Sequence, residues 1–264
     1  MTGVAAKVLK YQASDAARSR WLFVYALFFF VASEGLLRYA GGDAKAVLSL
    51  MNVVLFVIPL VTLVLGTVYL YNAREFTELL LAQPVPRGRL FAGLYLGLAL
   101  PLASAFVGGV AIPFLLRGGG DPGQRRALLT LLAVGVVLTC VFTAIAFVIA
   151  VRAEDRLRGL GLAIGAWLLL ALLYDGAVLV LVAMFADYPI ERPLLVLTFA
   201  NPIDLTRVIL LLELDVSALM GYTGAVFQNF FSGALGIAAA GAALLAWIAV
   251  PIALAARCFR RKDF

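Results

Sequence analysis

The chain has 264 residues, 64% of them hydrophobic and 14% charged, with a mean hydropathy of +1.05 and a net charge of +6. Soluble domains average about 45–50% apolar and about 25% charged residues, so a soluble globular fold is excluded and the positive charge reads as membrane-orientation signal, not a nucleic-acid footprint. There is no histidine, and the two cysteines lie apart in an apolar run (Cys140) and a basic tail (Cys258), so neither a soft-metal site nor a structural disulfide is expected.

Residues 1–20 carry Lys7, Lys10, Arg18 and Arg20, with no early apolar stretch and no small-residue cleavage pattern. They read as a cytoplasmic amphipathic lead-in lying on the membrane, against a solvated basic tail as the competing reading. Six apolar runs then reach the length of about 20 residues that a span needs: 21–39, 47–71, 90–116, 127–151, 160–186 and 234–256. An even number places both termini on one side. That side carries 14 Lys and Arg against 7 on the other, which predicts cytoplasmic termini.

In the first span, Glu34 lies four residues before Arg38, and an i,i+4 pair near the interface accounts for it. In the second, Asn52, Thr62 and Thr67 are expected to make interhelical hydrogen bonds. Between spans two and three, Arg74, Glu75 and Glu78 precede Leu79, Leu80, Leu81 and Pro84. This pattern predicts a short amphipathic surface helix over 73–83, stopped by Pro84 and followed by a basic turn with Pro86, Arg87 and Arg89. The competing reading is an ordinary amphipathic connection. Pro59, Pro101, Pro113 and Pro251 fall inside spans and suggest kinks. Small-residue faces at Gly93/Gly97, Gly161/Gly165 and Ala238/Ala242 are weak packing signals.

Asp175 lies in the fifth span with no basic residue within a helical turn. An ionisable group there can line a translocation path, cap a neighbouring helix or sit protonated. Residues 187–233 are too long for a turn and too apolar for a disordered linker. Asn201 as N-cap and Pro202 at the first helical position predict one or two helices at the outer face, partly re-entrant. Beyond them, Gly221 and Gly224 bracket Tyr222 and Thr223, with Phe227, Phe230 and Phe231 following. An aromatic belt with glycine turns is the competing reading of that stretch.

No nucleophile triad, HExxH, GxSxG or GxxxxGK[ST] occurs, so no ATP is bound here in the P-loop manner. The order E-x-x-E-L-L-L-x-x-P-V-x-R-x-x-L, carried by Glu75, Glu78, Leu79, Leu80, Leu81, Pro84, Val85, Arg87 and Leu90, resembles the coupling-helix region of the type-2 ABC exporter permeases. The six spans, the large loop before the last one and the basic C-terminus fit that layout. One departure is the absence of the glycine–threonine step common before the Leu run; Thr77 is present without the glycine. Within the family, residues 161–182 and 201–211 are similar to the permeases of the nitrous-oxide-reductase maturation exporters.

The resemblance implies an all-α polytopic membrane protein in the cell inner membrane: a segment 1–20 and a six-span domain 21–264, with a coupling helix (73–83) and a helical outer loop (187–233). It implies a homodimer, a separate cytoplasmic ABC ATPase (NosF-like) that binds ATP and magnesium, and a periplasmic partner (NosD-like) docked on Asn201, Pro202, Asp204, Tyr222 and Phe227. Arg74, Glu75, Glu78, the Leu triplet, Pro84 and Arg87 would engage the ATPase, with Arg87 and Arg89 also available to membrane lipids. Asp175, Glu34 and Asn52 would serve translocation or packing. No cofactor, metal or nucleic acid is expected on this chain. A general exporter of drugs, lipids or other solutes is the alternative. So is a membrane enzyme acting on lipid-linked substrates through Asp187, Glu191, Asp204, Glu213 and Asp215, or a non-catalytic scaffold.

Overall fold

Each of the six apolar runs forms one helix long enough to cross a bilayer. The computed structural model describes residues 19–40, 43–81, 86–117, 122–185, 191–214, 230–231 and 233–261. In chain order the spans are α1 (Arg20–Tyr39), α2 (Asp43–Asn72), α4 (Arg87–Leu116), α5 (Pro122–Arg152), α6 (Arg156–Met184) and α9 (Ala234–Arg261). A short helix, α3 (Arg74–Leu81), joins α2 to α4, while α7 (Glu191–Ala200) and α8 (Pro202–Glu213) precede α9. Most helices extend past their apolar runs into charged residues, because a helix end is set by its caps and an apolar run only by lipid. The interior prolines, Pro59, Pro101, Pro113 and Pro251, all sit within continuous helices.

The pair α7–α8 turns through 112° at Asn201. Ten and twelve residues span about 15 and 18 Å, each short of the roughly 30 Å hydrocarbon core. The second helix therefore folds back, which makes the pair a re-entrant hairpin and not a seventh crossing. The sequence predicts one or two helices in this stretch, and two are present among the described residues.

The bundle is built around α5, which packs against α2, α4, α9 and the hairpin helix α8. Two-thirds of its apolar window is buried (67%), against 6% for α6. Lipid tails are as apolar as leucine, so helix association here rests on close packing more than on water exclusion. Gly66 and Gly109 provide that closeness: a Cβ on Gly66 would lie 2.7 Å from the Ala146 Cβ, and one on Gly109 would lie 2.7 Å from the Ala26 carbonyl oxygen. Phe29 and Phe106 meet edge to face at 5.1 Å beside this contact. Toward the chain-terminal end, Phe147 is ringed by Tyr69, Phe91 and Tyr95, and Phe259 of α9 packs on Phe91.

Several sequence expectations are corrected here. Gly161 and Gly165 face open space, and Ala238 and Ala242 are exposed; only Gly93 and Gly97 are buried within the chain. Asn52 donates to the Leu48 carbonyl of its own helix (3.2 Å) rather than across helices. Thr62 and Thr67 are fully buried without an interhelical hydrogen bond among the described residues. Phe230 and Phe231 pack on Phe199 of α7, at 6.1 and 6.0 Å, so this part of the aromatic stretch closes the hairpin and is not a membrane-surface belt. The lead-in 1–18, Pro84, Tyr222 and Phe227 lie outside the described residues.

Candidate coupling helix and buried polar cluster

The helix α3 has one face turned inward. Ala73, just before it, and Thr77 are buried, and the Thr77 hydroxyl donates back to the Ala73 carbonyl at 2.7 Å. Leu80 is half-buried against the main core. The opposite face presents Glu75, Glu78 and Leu79, the last 70% exposed. The Leu triplet thus divides: Leu79 points away from the protein and Leu80 into it, which corrects the expectation that both project from the surface together. The side chain of Leu81 lies outside the described residues. Arg74 and Glu78 form an i,i+4 pair at 3.5 Å with both side chains largely exposed, worth at most about 0.5 kcal/mol.

What α3 stands on is tied together by hydrogen bonds between several helix ends. The Tyr71 hydroxyl, at the end of α2, lies 2.8 Å from the Ala153 carbonyl and 3.1 Å from that of Asp155, across the short loop between α5 and α6. Gly159 lets the Tyr71 ring lie against α6, where any Cβ would strike it. Asp155 caps α6 by accepting from the Leu157 amide at 3.2 Å. Arg87, expected in a basic turn, opens α4 instead, and its Nη1 donates to the Arg260 carbonyl at the end of α9 (2.7 Å). The ends of α2, α4, α5, α6 and α9 are therefore bound together under α3. Tyr71→Phe should cost about 1 kcal/mol of stability in a thermal melt of the purified chain, the worth of one part-buried hydrogen bond.

A second polar constellation lies where the hairpin meets α6. That helix contains one turn of π-helix, Leu169–Leu173, in which the Tyr174 amide donates to the Leu169 carbonyl, five residues back. The Leu170 carbonyl accepts from Asn201 Nδ2 at 2.8 Å, and Asn201 Oδ1 caps α8 by accepting from the Ile203 amide at 3.0 Å. Tyr174 donates its hydroxyl to the Leu197 carbonyl of α7 at 2.7 Å. One residue further on, Asp175 meets Arg207 of α8 at 2.8 Å, and the same Arg207 nitrogen lies 3.1 Å from Asp204. Trp247 of α9 donates its indole N–H to the Phe199 carbonyl at the other flank of the hairpin.

Asp175 and Arg207 face a cavity of about 550 Å³ walled by Phe28 of α1, Asn52 and Phe56 of α2, and Ile203. Asp175 and Asn52 thus share one cavity. Glu34 is elsewhere, bonded to Arg117 at 2.6 Å, with Arg38 only at 3.9 Å. Arg117 also donates to the Leu37 carbonyl, so it closes the end of α1. The sequence signal missed Arg207 because a search within one helical turn of Asp175 cannot reach another element.

The sequence pattern of the ABC-2 family transporter proteins matches residues 6–264. The chain belongs to the ABC-2 transporter family. It is similar to the "Probable ABC transporter permease protein NosY" of Pseudomonas aeruginosa, 29% identical over 271 residues and covering 97% of each chain. The protein of the same printed name from Stutzerimonas stutzeri is 28% identical over 283 residues, again with 97% of each covered. This ABC-2 chain is accordingly a multi-pass membrane permease subunit of an ABC transporter, in a family that works with an ATPase partner subunit. In the ABC-2 permease, Asn201, Pro202 and Asp204, expected to dock an outer partner, face inward in the single chain. The first two are buried and the Asp204 side chain is only 14% exposed, because all three build the joint between hairpin and α6.

Proposed function

We propose that this permease carries the stroke of a separate cytoplasmic ABC ATPase (NosF-like), which binds the ATP and magnesium, to the outer hairpin of a NosY-like system in the cell inner membrane, with both termini cytoplasmic. The observation that carries the reading is the outward face of α3, Glu75, Glu78 and Leu79, mounted on five helix ends that are hydrogen-bonded or packed together. An apolar side chain flanked by two carboxylates suits a groove with a basic rim. A short helix on a stiff base passes displacement on instead of absorbing it.

A homodimer fits the uncovered faces of α1, α6 and α9, where Gly161 and Gly165 leave room for a second backbone. A periplasmic NosD-like partner would receive motion from the hairpin. The cavity at Asp175 supports the alternative that a solute crosses, as in a general ABC-2 exporter. The membrane-enzyme reading draws no support from Asp204, which is committed to Arg207.

Leu79→Asp is expected to abolish co-purification of the ATPase and to lower transport-linked ATP hydrolysis at least tenfold, while the detergent-purified permease melts as wild type. Placing a carboxylate in a desolvated groove costs more than the ~1.4 kcal/mol that a tenfold loss requires. Leu80→Asp is a poorer test, since Leu80 packs on the permease core. Retention of the ATPase by Leu79→Asp would overturn the assignment.

A further inference from the structure

One guanidinium nitrogen, Arg207 Nη1, serves two carboxylates: Asp175 Oδ2 at 2.8 Å and Asp204 Oδ1 at 3.1 Å. Among the described residues no second cation is bonded to either acid. The groups facing them from each neighbouring element are neutral or already committed. Asn201 lies 3.3 Å from Asp204 Oδ2, Tyr174 gives its hydroxyl to Leu197, and Asn52 of α2 gives its amide to Leu48. The only residue of α1 at the cavity is Phe28. Trp247 of α9 is bonded to Phe199 at the other flank of the hairpin and does not line this cavity. The charges of α5, Arg125, Arg126 and Arg152, lie at its ends. With both acids ionised the cluster carries one uncompensated negative charge in a largely buried setting. Such a site is relieved by a proton.

We propose that Asp204 holds a proton beside Asp175 while the hairpin is docked, that the cavity beside Arg207 is its route in and out, and that its loss loosens the hairpin from α6. The proton bridges the two elements: Asp175 belongs to α6, Asp204 to α8, and the remaining ties between them are the Asn201–Leu170 and Tyr174–Leu197 hydrogen bonds. Asp204 lies outside the six spans, and burial, then the neighbouring Asp175, push its carboxyl up to about 7. Arg207 and Asn201 act in the opposite direction and are outweighed. The docked hairpin therefore binds a proton that a released hairpin, with an ordinary carboxylate, gives up. Docking weakens as pH rises from the ordinary carboxylate range to about 7 and is weakest above it.

The full chain in lipid nanodiscs tests this by infrared difference spectroscopy and hydrogen exchange. A protonated-carboxyl band should be present at about pH 5.5, titrate out near neutrality with a one-proton slope, and be missing from Asp204→Asn. Amides of the hairpin should exchange roughly thirtyfold faster at about pH 8.5 than at about pH 5.5 after correction for intrinsic rates, the factor that linkage to a carboxyl raised to about 7 supplies over that range. Asp204→Asn, which imitates the protonated cluster, should exchange slowly at both. Asp175→Asn leaves one acid per cation and should likewise lose the band, which covers the case in which Asp204→Asn does not fold. Absence of a titrating carboxyl band, or its survival in both variants, would overturn the proton assignment. A titrating band without any change in hairpin exchange would overturn the latch.

Discussion

Arg207→Gln is expected to destabilise the joint between the hairpin and α6 strongly. It leaves Asp175 and Asp204 facing each other without their cation. Removing one partner of a fully buried pair costs about 3–5 kcal/mol. Arg207 retains about a third of its exposure toward the cavity, so a loss of roughly 2–3 kcal/mol is expected in detergent-solubilised thermal melts. The penalty comes from uncompensated charge, not lost packing. Two consequences distinguish it from a packing defect. The destabilisation should shrink at acid pH, where Asp204 takes up a proton, and grow at alkaline pH. Neutralising both acids in the same chain, with Asp175→Asn and Asp204→Asn, should return most of the loss. A pH-independent melt of Arg207→Gln equal to wild type would show that the cluster does not fasten the hairpin.

Gly109→Ala is the apolar counterpart. A Cβ there would lie 2.7 Å from the Ala26 carbonyl and 2.9 Å from the Phe29 Cβ, both on α1. Neither atom is the movable end of a side chain, so α1 as a whole must retreat from α4. Overpacking of this kind costs about 1–3 kcal/mol. The adjacent Gly108 has nothing within 4 Å of its would-be Cβ. Gly108→Ala should therefore be neutral or gain up to about 1 kcal/mol from helix propensity. Melting both variants side by side settles the matter: equal midpoints would mean that the α1–α4 contact is looser than the geometry states. The effect also has a functional side, since Phe28 on α1 forms one wall of the cavity at Asp175.

Much of this architecture is written in the chain as runs and caps. Six apolar stretches became six helices, and Asn201 followed by Pro202 marked the start of α8 because an N-cap oxygen and a fixed φ are local requirements. The amphipathic signal before Pro84 likewise announced α3. What stayed hidden was which face of each element meets what. Leu79 and Leu80 are indistinguishable as letters, and only the packing of α3 on the core separates them. Glu34 has a sequence neighbour in Arg38 but takes Arg117, 83 residues away, because the ends of α1 and α4 converge. Asp175 looked isolated for the same reason. Small-residue stripes at Gly161/Gly165 and Ala238/Ala242 were legible as stripes, yet a stripe does not tell whether its complement is the same chain, another copy or lipid.

The way the spans interlock bears on how the protein is made. A ribosome delivers spans in order, yet α1 packs chiefly on α4 and α2 chiefly on α5. The first span must therefore wait in the membrane for the third, and the second for the fourth. While it waits, α1 holds Glu34 without Arg117, and the inner walls of α2 without α5. α1 can close on α4, but α2 lacks its chief partner until α5 arrives, after which α6 and α9 can settle on an assembled four-span nucleus. Biogenesis of this permease thus turns on its fourth crossing: before α5 the chain holds three spans of which α2 lacks its chief partner, and with α5 it is a four-span bundle.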